Sequence, residues 1–338
     1  MGGNAFKFLG ENAFPRIPPT TYKALKEHLS AKLSALFEFV GTPAEAPEKT
    51  SHGDIDIIVA NPLVELSGEQ VKCELKAQHA ILAAGNRTSN FALPSDEDGK
   101  FYQVDVHVCK DREEWDRIMF FHSYGDLGMI LGVLARTNGL RLGSNGLKVV
   151  APHEAEALPP AFQLSESFPD ILRFYGLSID DWKTGFPTKQ AVFEWVTTSR
   201  LCDPRRVKDP SNSSREKMLR DREMYQAYLE YCRSIQQSST LNCSISSKPT
   251  DIVREALRFF NKETEYDGIV NANRRRIALK NTFSGQLVME WTGTSGLRVR
   301  DIMNGVRARL SDDEIIQTDK EALKSIVMQI AEELENND

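Results

Sequence analysis

Leu25, Leu29, Leu33, Leu36 and Phe37 recur at the spacing of one helical face. They follow Pro15-Arg16-Ile17-Pro18-Pro19, whose prolines forbid helix hydrogen bonds. The pattern predicts an extended arm and then a helix over roughly 21–39, capped by Thr20 or Thr21. Gly41 to Gly53 is polar and contains proline, so it reads as a loop. Ile55, Ile57, Ile58, Val59 and Ala60 form a short β-branched strand. A second helix is expected over about 67–84, stopping near Gly85. Ser89–Leu93 and Phe101–Val108 flank the turn Asp96-Glu97-Asp98-Gly99, which is a hairpin signal. A helix around 125–137 and a strand pair over 139–150, turning at Ser144-Asn145-Gly146, complete a first domain.

From about residue 155 the pattern changes to helices separated by short polar turns. Ser213…Glu216 forms a capping box. The serine-rich stretch 236–249 reads as a linker. A last module has a helix after Thr250, a strand-like Gly285–Trp291, and capping boxes at Ser311…Glu314 and Thr318…Glu321. The expected fold class is α+β. A mixed-sheet domain flanked by helices (1–154) precedes a helical domain (155–235), the linker (236–249) and a mainly helical C-terminal module with a little β structure (250–338).

Composition narrows the partners. A net charge of −6 over 338 residues lowers the odds of a protein that coats nucleic acid, without excluding one that grips it locally. The five cysteines are scattered and lack CxxC spacing, which argues for reduced thiols and against a disulfide framework or a zinc site. No apolar run is long enough for a bilayer and no leader is evident; Phe6 stands where a myristoylation signal wants Ser or Thr. These features predict an intracellular chain, cytoplasmic or nuclear, with no membrane partner.

The chemistry concentrates in Ser51-His52-Gly53-Asp54-Ile55-Asp56-Ile57. In a strand Asp54 and Asp56 share one face while Ile55 and Ile57 take the other. Two carboxylates so placed repel, and a hard divalent cation gives them a reason to coexist. Tyr102-Gln103-Val104-Asp105-Val106-His107-Val108 offers a third carboxylate inside an apolar β pattern. If the strands are neighbours, Asp54, Asp56 and Asp105 converge and can hold two Mg²⁺ or Mn²⁺ ions. Asp111 competes with Asp105, but it lies in the charged Lys110–Glu114 stretch that reads as a solvated turn. Before the pair, Gly41 and Thr42 offer a close backbone approach and a hydroxyl to a phosphate, or merely a helix stop. Ser51 adjoins the carboxylates, Lys49 can neutralise phosphate charge, and His52 is either a phosphate contact or an ordinary loop residue. Arg274-Arg275-Arg276 is a candidate grip on a nucleic-acid backbone.

The order Val40-Gly41-Thr42, then Asp54-Ile55-Asp56-Ile57, then Asp105 in Gln103-Val104-Asp105-Val106, resembles the DNA polymerase β-like nucleotidyltransferase superfamily over roughly residues 1–150. The Gly-Gly start and the Ser-x-Gly-Asp-x-Asp form resemble a viral and fungal group within it. Thr42 replaces the family's usual serine and keeps the hydroxyl. The resemblance implies transfer of a nucleoside monophosphate from an NTP to an acceptor hydroxyl, with pyrophosphate released. Asp54 and Asp56 would bind both metals, and Asp105 would bind the catalytic one and assist deprotonation. The large downstream modules and their basic patches favour a nucleic-acid acceptor, an RNA 3′ end first. The alternative is a non-catalytic scaffold of this fold that binds RNA or protein.

Overall fold

A computed structural model of the chain describes residues 5–10, 12–83, 87–150, 161–207, 222–237 and 248–336. The capping box expected at Ser213…Glu216 and most of the 236–249 linker lie outside them. Contacts divide the chain into one unit of residues 1–150 with 163–260, and another of 151–162 with 261–338.

In the first unit α1 (Pro19–Leu33) starts behind Pro18, with proline at its first position, where no amide hydrogen is needed. The chain then forms β1 (Phe37–Gly41), β2 (Ile55–Pro62), α2 (Gly68–Leu75), β3 (His79–Ile81), β4 (Thr88–Pro94) and β5 (Phe101–Cys109). The five strands make one mixed sheet in the order β1-β2-β5-β4-β3. β2 and β5 run parallel, while the β4–β5 hairpin is antiparallel, as its turn residues predict.

Three expectations are corrected here. The helix over 21–39 ends at Leu33, because Phe37–Gly41 pairs antiparallel with β2; Leu36 and Phe37 continue the helical spacing only by coincidence. The helix over 67–84 ends at Leu75, where Lys76 turns left-handed at φ 56°, and β3 then pairs with β4. The Lys110–Glu114 stretch is no turn. Asp111 caps α3 (Arg112–His122) by accepting the Glu114 amide at 2.9 Å.

α1 and α2 cover one face of the sheet. Tyr22, Leu29, Leu33, Val71 and Leu75 bury it together with Ile55, Ile57, Val59, Val104 and Val106. α3 covers part of the opposite face. It meets α4 (Leu127–Thr137) at 89°, across Tyr124 and Gly125, both at positive φ. The unit continues with the β6 (Leu140–Gly143) and β7 (Gly146–Val149) hairpin, joined by β8 (Phe162–Ser165) in a three-stranded sheet. The helices α5 (Phe168–Tyr175), α6 (Ile179–Thr184), α7 (Lys189–Thr197), α8 (Glu223–Gln237) and α9 (Pro249–Phe259) follow.

The second unit contains α10 (Glu263–Thr282), α11 (Gly285–Thr292), α12 (Leu297–Arg309), α13 (Asp312–Gln317) and α14 (Lys320–Glu335), around a core that includes Val288, Ile302, Val306, Leu323 and Val327. The strand expected at Gly285–Trp291 is therefore a helix, and the described elements of this unit after residue 260 are all helices. Its short apolar run is capped by Ser284, which accepts the Leu287 amide. The Ser311…Glu314 box forms as expected, whereas Asp319 and not Thr318 caps α14. The α+β class is the one observed. No single helix among the described residues is long and apolar enough to cross a membrane.

Candidate active site

Side chains alternate along β2 and β5, so the burial of Ile55, Ile57, Val104 and Val106 against α1 and α2 sends Asp56 and Asp105 to the other face. There α3 packs Ile118, Trp115 and Met119 over Ile58, Ala60 and Cys109. The Trp115 indole N–H donates to the Ile58 carbonyl at 2.9 Å. Asp56 lies beyond this cover and is exposed, while Asp54 and Asp105 are half-buried.

Asp56 and Asp105 occupy the same register position on the parallel strands. Burial, then the charges of Asp54, Asp105 and Glu45, push the Asp56 carboxyl up to about 7. Because the side chain keeps accessible surface, the desolvation is that of an open recess and not of a sealed core. Burial raises Asp105 as well, and Asp54 adds to the rise, against two hydrogen bonds that favour the ionised form. Asn90 Nδ2 and Gln103 Nε2 donate to Asp105 Oδ1 at 2.7 and 2.9 Å, so neither bond uses Oδ2. Gln103 is only 3% exposed, and its Oε1 accepts the Ala5 amide at 3.2 Å. That contact fixes which end of the amide faces Asp105.

The donors are hard carboxylate oxygens under mutual repulsion, which fits Mg²⁺ or Mn²⁺. Among the described residues, no group of three or more His, Cys, Asp or Glu side chains stands where it could hold one metal ion. The aspartates form an electrostatically coupled cluster and not a preformed cage.

The loop between β1 and β2 is held at several points. Arg16 donates from Nε to Ser51 Oγ at 3.1 Å and from Nη2 to the Ser51 carbonyl at 2.8 Å. Ile17 and His52 exchange backbone hydrogen bonds of 2.8 and 2.9 Å. Farther along, the Tyr124 amide donates to the Ala44 carbonyl at 2.6 Å, and the Ala44 amide donates to Ser123 Oγ at 3.0 Å. A Cβ on Gly125 would lie 2.8 Å from the Ala46 Cβ, so the α3–α4 turn can press on the loop only as glycine. Arg16, Gln103, Asn90 and Ser123 escaped the sequence reading. Gln103, a polar residue in an apolar strand pattern, and Asn90, opposite Asp105 across the expected hairpin, carried signals that could have found them.

The remaining candidates separate. Gly41 ends β1, and a Cβ there would stand 2.6 Å from Trp115 Cζ2, so packing against α3 already requires this glycine. Lys49 donates to Glu45 Oε2 at 3.3 Å. His52 is buried and stacks on Tyr22 at 3.6 Å between ring centres, which makes it a structural part of the loop's base. The Tyr22 hydroxyl donates to Glu45. Arg274, Arg275 and Arg276 are exposed on α10 in the second unit, where Arg275 pairs with Asp313 at 2.8 Å.

No protein-family model matches the chain, and no curated relative matches it. Among solved structures, the chain is similar to Leishmania infantum polymerase beta in a ternary gap complex, at 17% identity over 41% of this chain and 53% of that one, with a TM-score of 0.31. It is similar to the same polymerase in a ternary P/T complex at 17% identity over 42% and 61%, with a TM-score of 0.32. The chain therefore spans less than two thirds of either polymerase chain.

Proposed function

We propose that this chain transfers a nucleoside monophosphate from an NTP to an acceptor hydroxyl and releases pyrophosphate. The observation that carries the proposal is the placement of Asp56 opposite Asp105, with Asp54 one strand step before Asp56, in an accessible and charge-coupled recess. Asp54 and Asp56 would hold two Mg²⁺ or Mn²⁺ ions, with Asp105 beside the acceptor. When bound, the ions would neutralise phosphate charge and make a hydroxyl easier to deprotonate. Asp105 Oδ2 is the oxygen that can take the proton of the attacking hydroxyl, while Asn90 and Gln103 keep Oδ1 occupied. Thr42, Ser51 and Lys49, on the loop held by Arg16, supply hydroxyl and ammonium donors for the phosphates; Gly41 gives them backbone access.

A nucleic-acid 3′ end, RNA first, is the proposed acceptor. Support for it comes from the exposed Arg274, Arg275 and Arg276 on α10, which suit a phosphate backbone. The experiment is incubation with each α-labelled NTP, Mg²⁺ or Mn²⁺, and pools of RNA, DNA or protein. Label on RNA, lost in Asp54→Ala, is expected. RNA binding that survives Asp54→Ala, without incorporation under any condition, would identify a binding module instead.

A further inference from the structure

A second recess, of about 390 Å³, lies on the sheet face that α1 and α2 cover. Its size suits a small molecule, and such sites are apolar pockets with a few placed polar groups. Phe37, Phe91 and Val106 line it from the sheet, Val71 from α2, and Leu66 and Leu82 from the chain before α2 and after β3. A Cβ on Gly68 would stand 2.7 Å from Leu82 Cδ2, so the first residue of α2 stays bare and Leu82 closes that wall. Leu82 and Ala83 are exposed, which puts the opening on their side. The cavity is separate from the carboxylates. Val106 follows Asp105 on β5, yet the two side chains take opposite faces of the sheet. None of the lining residues belongs to the aspartate centre or to its loop.

The polar groups of the lining define what fits. Among the described residues that line the cavity, none is acidic and only Arg87 is charged. Arg87 gives both terminal nitrogens to Glu114, at 2.6 Å from Nη1, so its charge is already met. Ser67 caps α2 and bonds Gln70 in both directions. Ser89 is different. Its Oγ accepts the Ala83 amide at 3.0 Å, and its hydroxyl hydrogen has no acceptor among the described residues. The cavity therefore presents apolar walls, one available O–H donor and no uncompensated charge. A charged ligand would lose its hydration there without an ion partner. A neutral ligand with one acceptor would satisfy Ser89 instead.

Two aromatic walls add a preference of shape. Neither Phe37 nor Phe91 meets another ring among the described residues, so both offer aromatic surface to a flat guest. We propose that this cavity binds an uncharged aromatic molecule carrying one hydrogen-bond acceptor, a class that includes the aryl ketones. Ser89 donates to the acceptor, and Phe37, Phe91 and Val71 enclose the apolar body. The site is independent of nucleotidyl transfer.

The test is calorimetric titration of the full chain with benzophenone, beside diphenylmethane, which lacks the carbonyl, and 4-benzoylbenzoate, which adds a charge. Benzophenone is expected to bind about threefold or more tightly than either. Ser89→Ala should erase its advantage over diphenylmethane and leave binding of the hydrocarbon in place. Val71→Phe should fill the cavity and weaken benzophenone at least about tenfold. Leu66→Trp serves the same purpose if Val71→Phe does not melt cooperatively. Irradiation of the bound ketone should label peptides that carry Leu66, Val71 or Leu82. Absence of saturable binding, tighter binding of the carboxylate, or an advantage of the ketone that survives Ser89→Ala would each overturn the site. So would binding indifferent to the filling variants, or label placed elsewhere on the chain.

Discussion

Asp56 and Asp105 stand side by side at the same register position of two parallel strands, and both carboxyls are held above their ordinary range. The isoleucines and valines between them fix this arrangement. Ile55, Ile57, Val104 and Val106 are too apolar to leave the core, so the aspartates must take the other face. A fold that stabilised itself alone would gain by replacing one of these acids.

Stability should therefore fall as pH rises. The Asp56 carboxyl moves from 3.8 to about 7 on folding. Between those values the native state keeps a proton that the unfolded chain gives up, so raising the pH through that window costs stability. Asp56→Asn should melt higher than the parent at pH 8 and alike at pH 3. Adding Mg²⁺ at pH 8 should raise the parent's melting temperature more than the variant's. Equal pH profiles for the two proteins, measured by circular dichroism, would count against the coupled cluster.

Gln103 should act through Asp105. Gln103→Leu removes one donor to Oδ1 and leaves the Ala5 amide without its partner. An unsatisfied buried donor costs about 1–3 kcal/mol. Turnover should drop about tenfold or more, with little change in the KM for NTP, because the orientation of one carboxylate is lost and not a nucleotide contact. A rise in KM at unchanged kcat would place Gln103 in nucleotide binding instead.

Gly41 tests packing against phosphate binding. Gly41→Ala puts a methyl 2.6 Å from Trp115 Cζ2 and should destabilise the fold by about 1–3 kcal/mol, the usual cost of overpacking. Chemical denaturation should show the loss, and adding Trp115→Phe should recover part of it. Unchanged stability with a raised KM for NTP would assign the glycine to phosphate approach alone.

How far the sequence spoke depended on how local the deciding interaction was. The strand through Asp54–Ile57 and the Ser89–Val108 hairpin were legible, because alternation and turn chemistry settle them within a few residues. β1 was not, because Leu36 and Phe37 extend a helical spacing and only pairing with β2 reveals the strand. α3 hid behind Arg112-Glu113-Glu114, charges that read as a turn until Asp111 is seen capping them. Arg16 and Ser123 lie far along the chain from the groups they hold, and no spacing rule joins them; Asn90 stands across the hairpin from Asp105, where only the register of the turn pairs them.

Arg16 should govern the loop. Arg16→Ala removes both bonds to Ser51 and frees the stretch just before Asp54. The KM for NTP should rise severalfold while the melting temperature changes little, since the contact is exposed. Arg16→Lys should restore only part of the effect, because a single ammonium cannot reproduce the two-point grip. Kinetics indistinguishable from the parent would remove Arg16 from the site.

The most direct test is single-turnover incorporation of label from α-labelled NTP into RNA by Asp54→Asn, Asp56→Asn and Asp105→Asn, each first shown to be folded. All three should lose at least about a hundredfold in rate, the scale expected when a preorganised transition-state contact is removed. Parent-like incorporation by any one of them would contradict the assignment of these aspartates as a single catalytic centre.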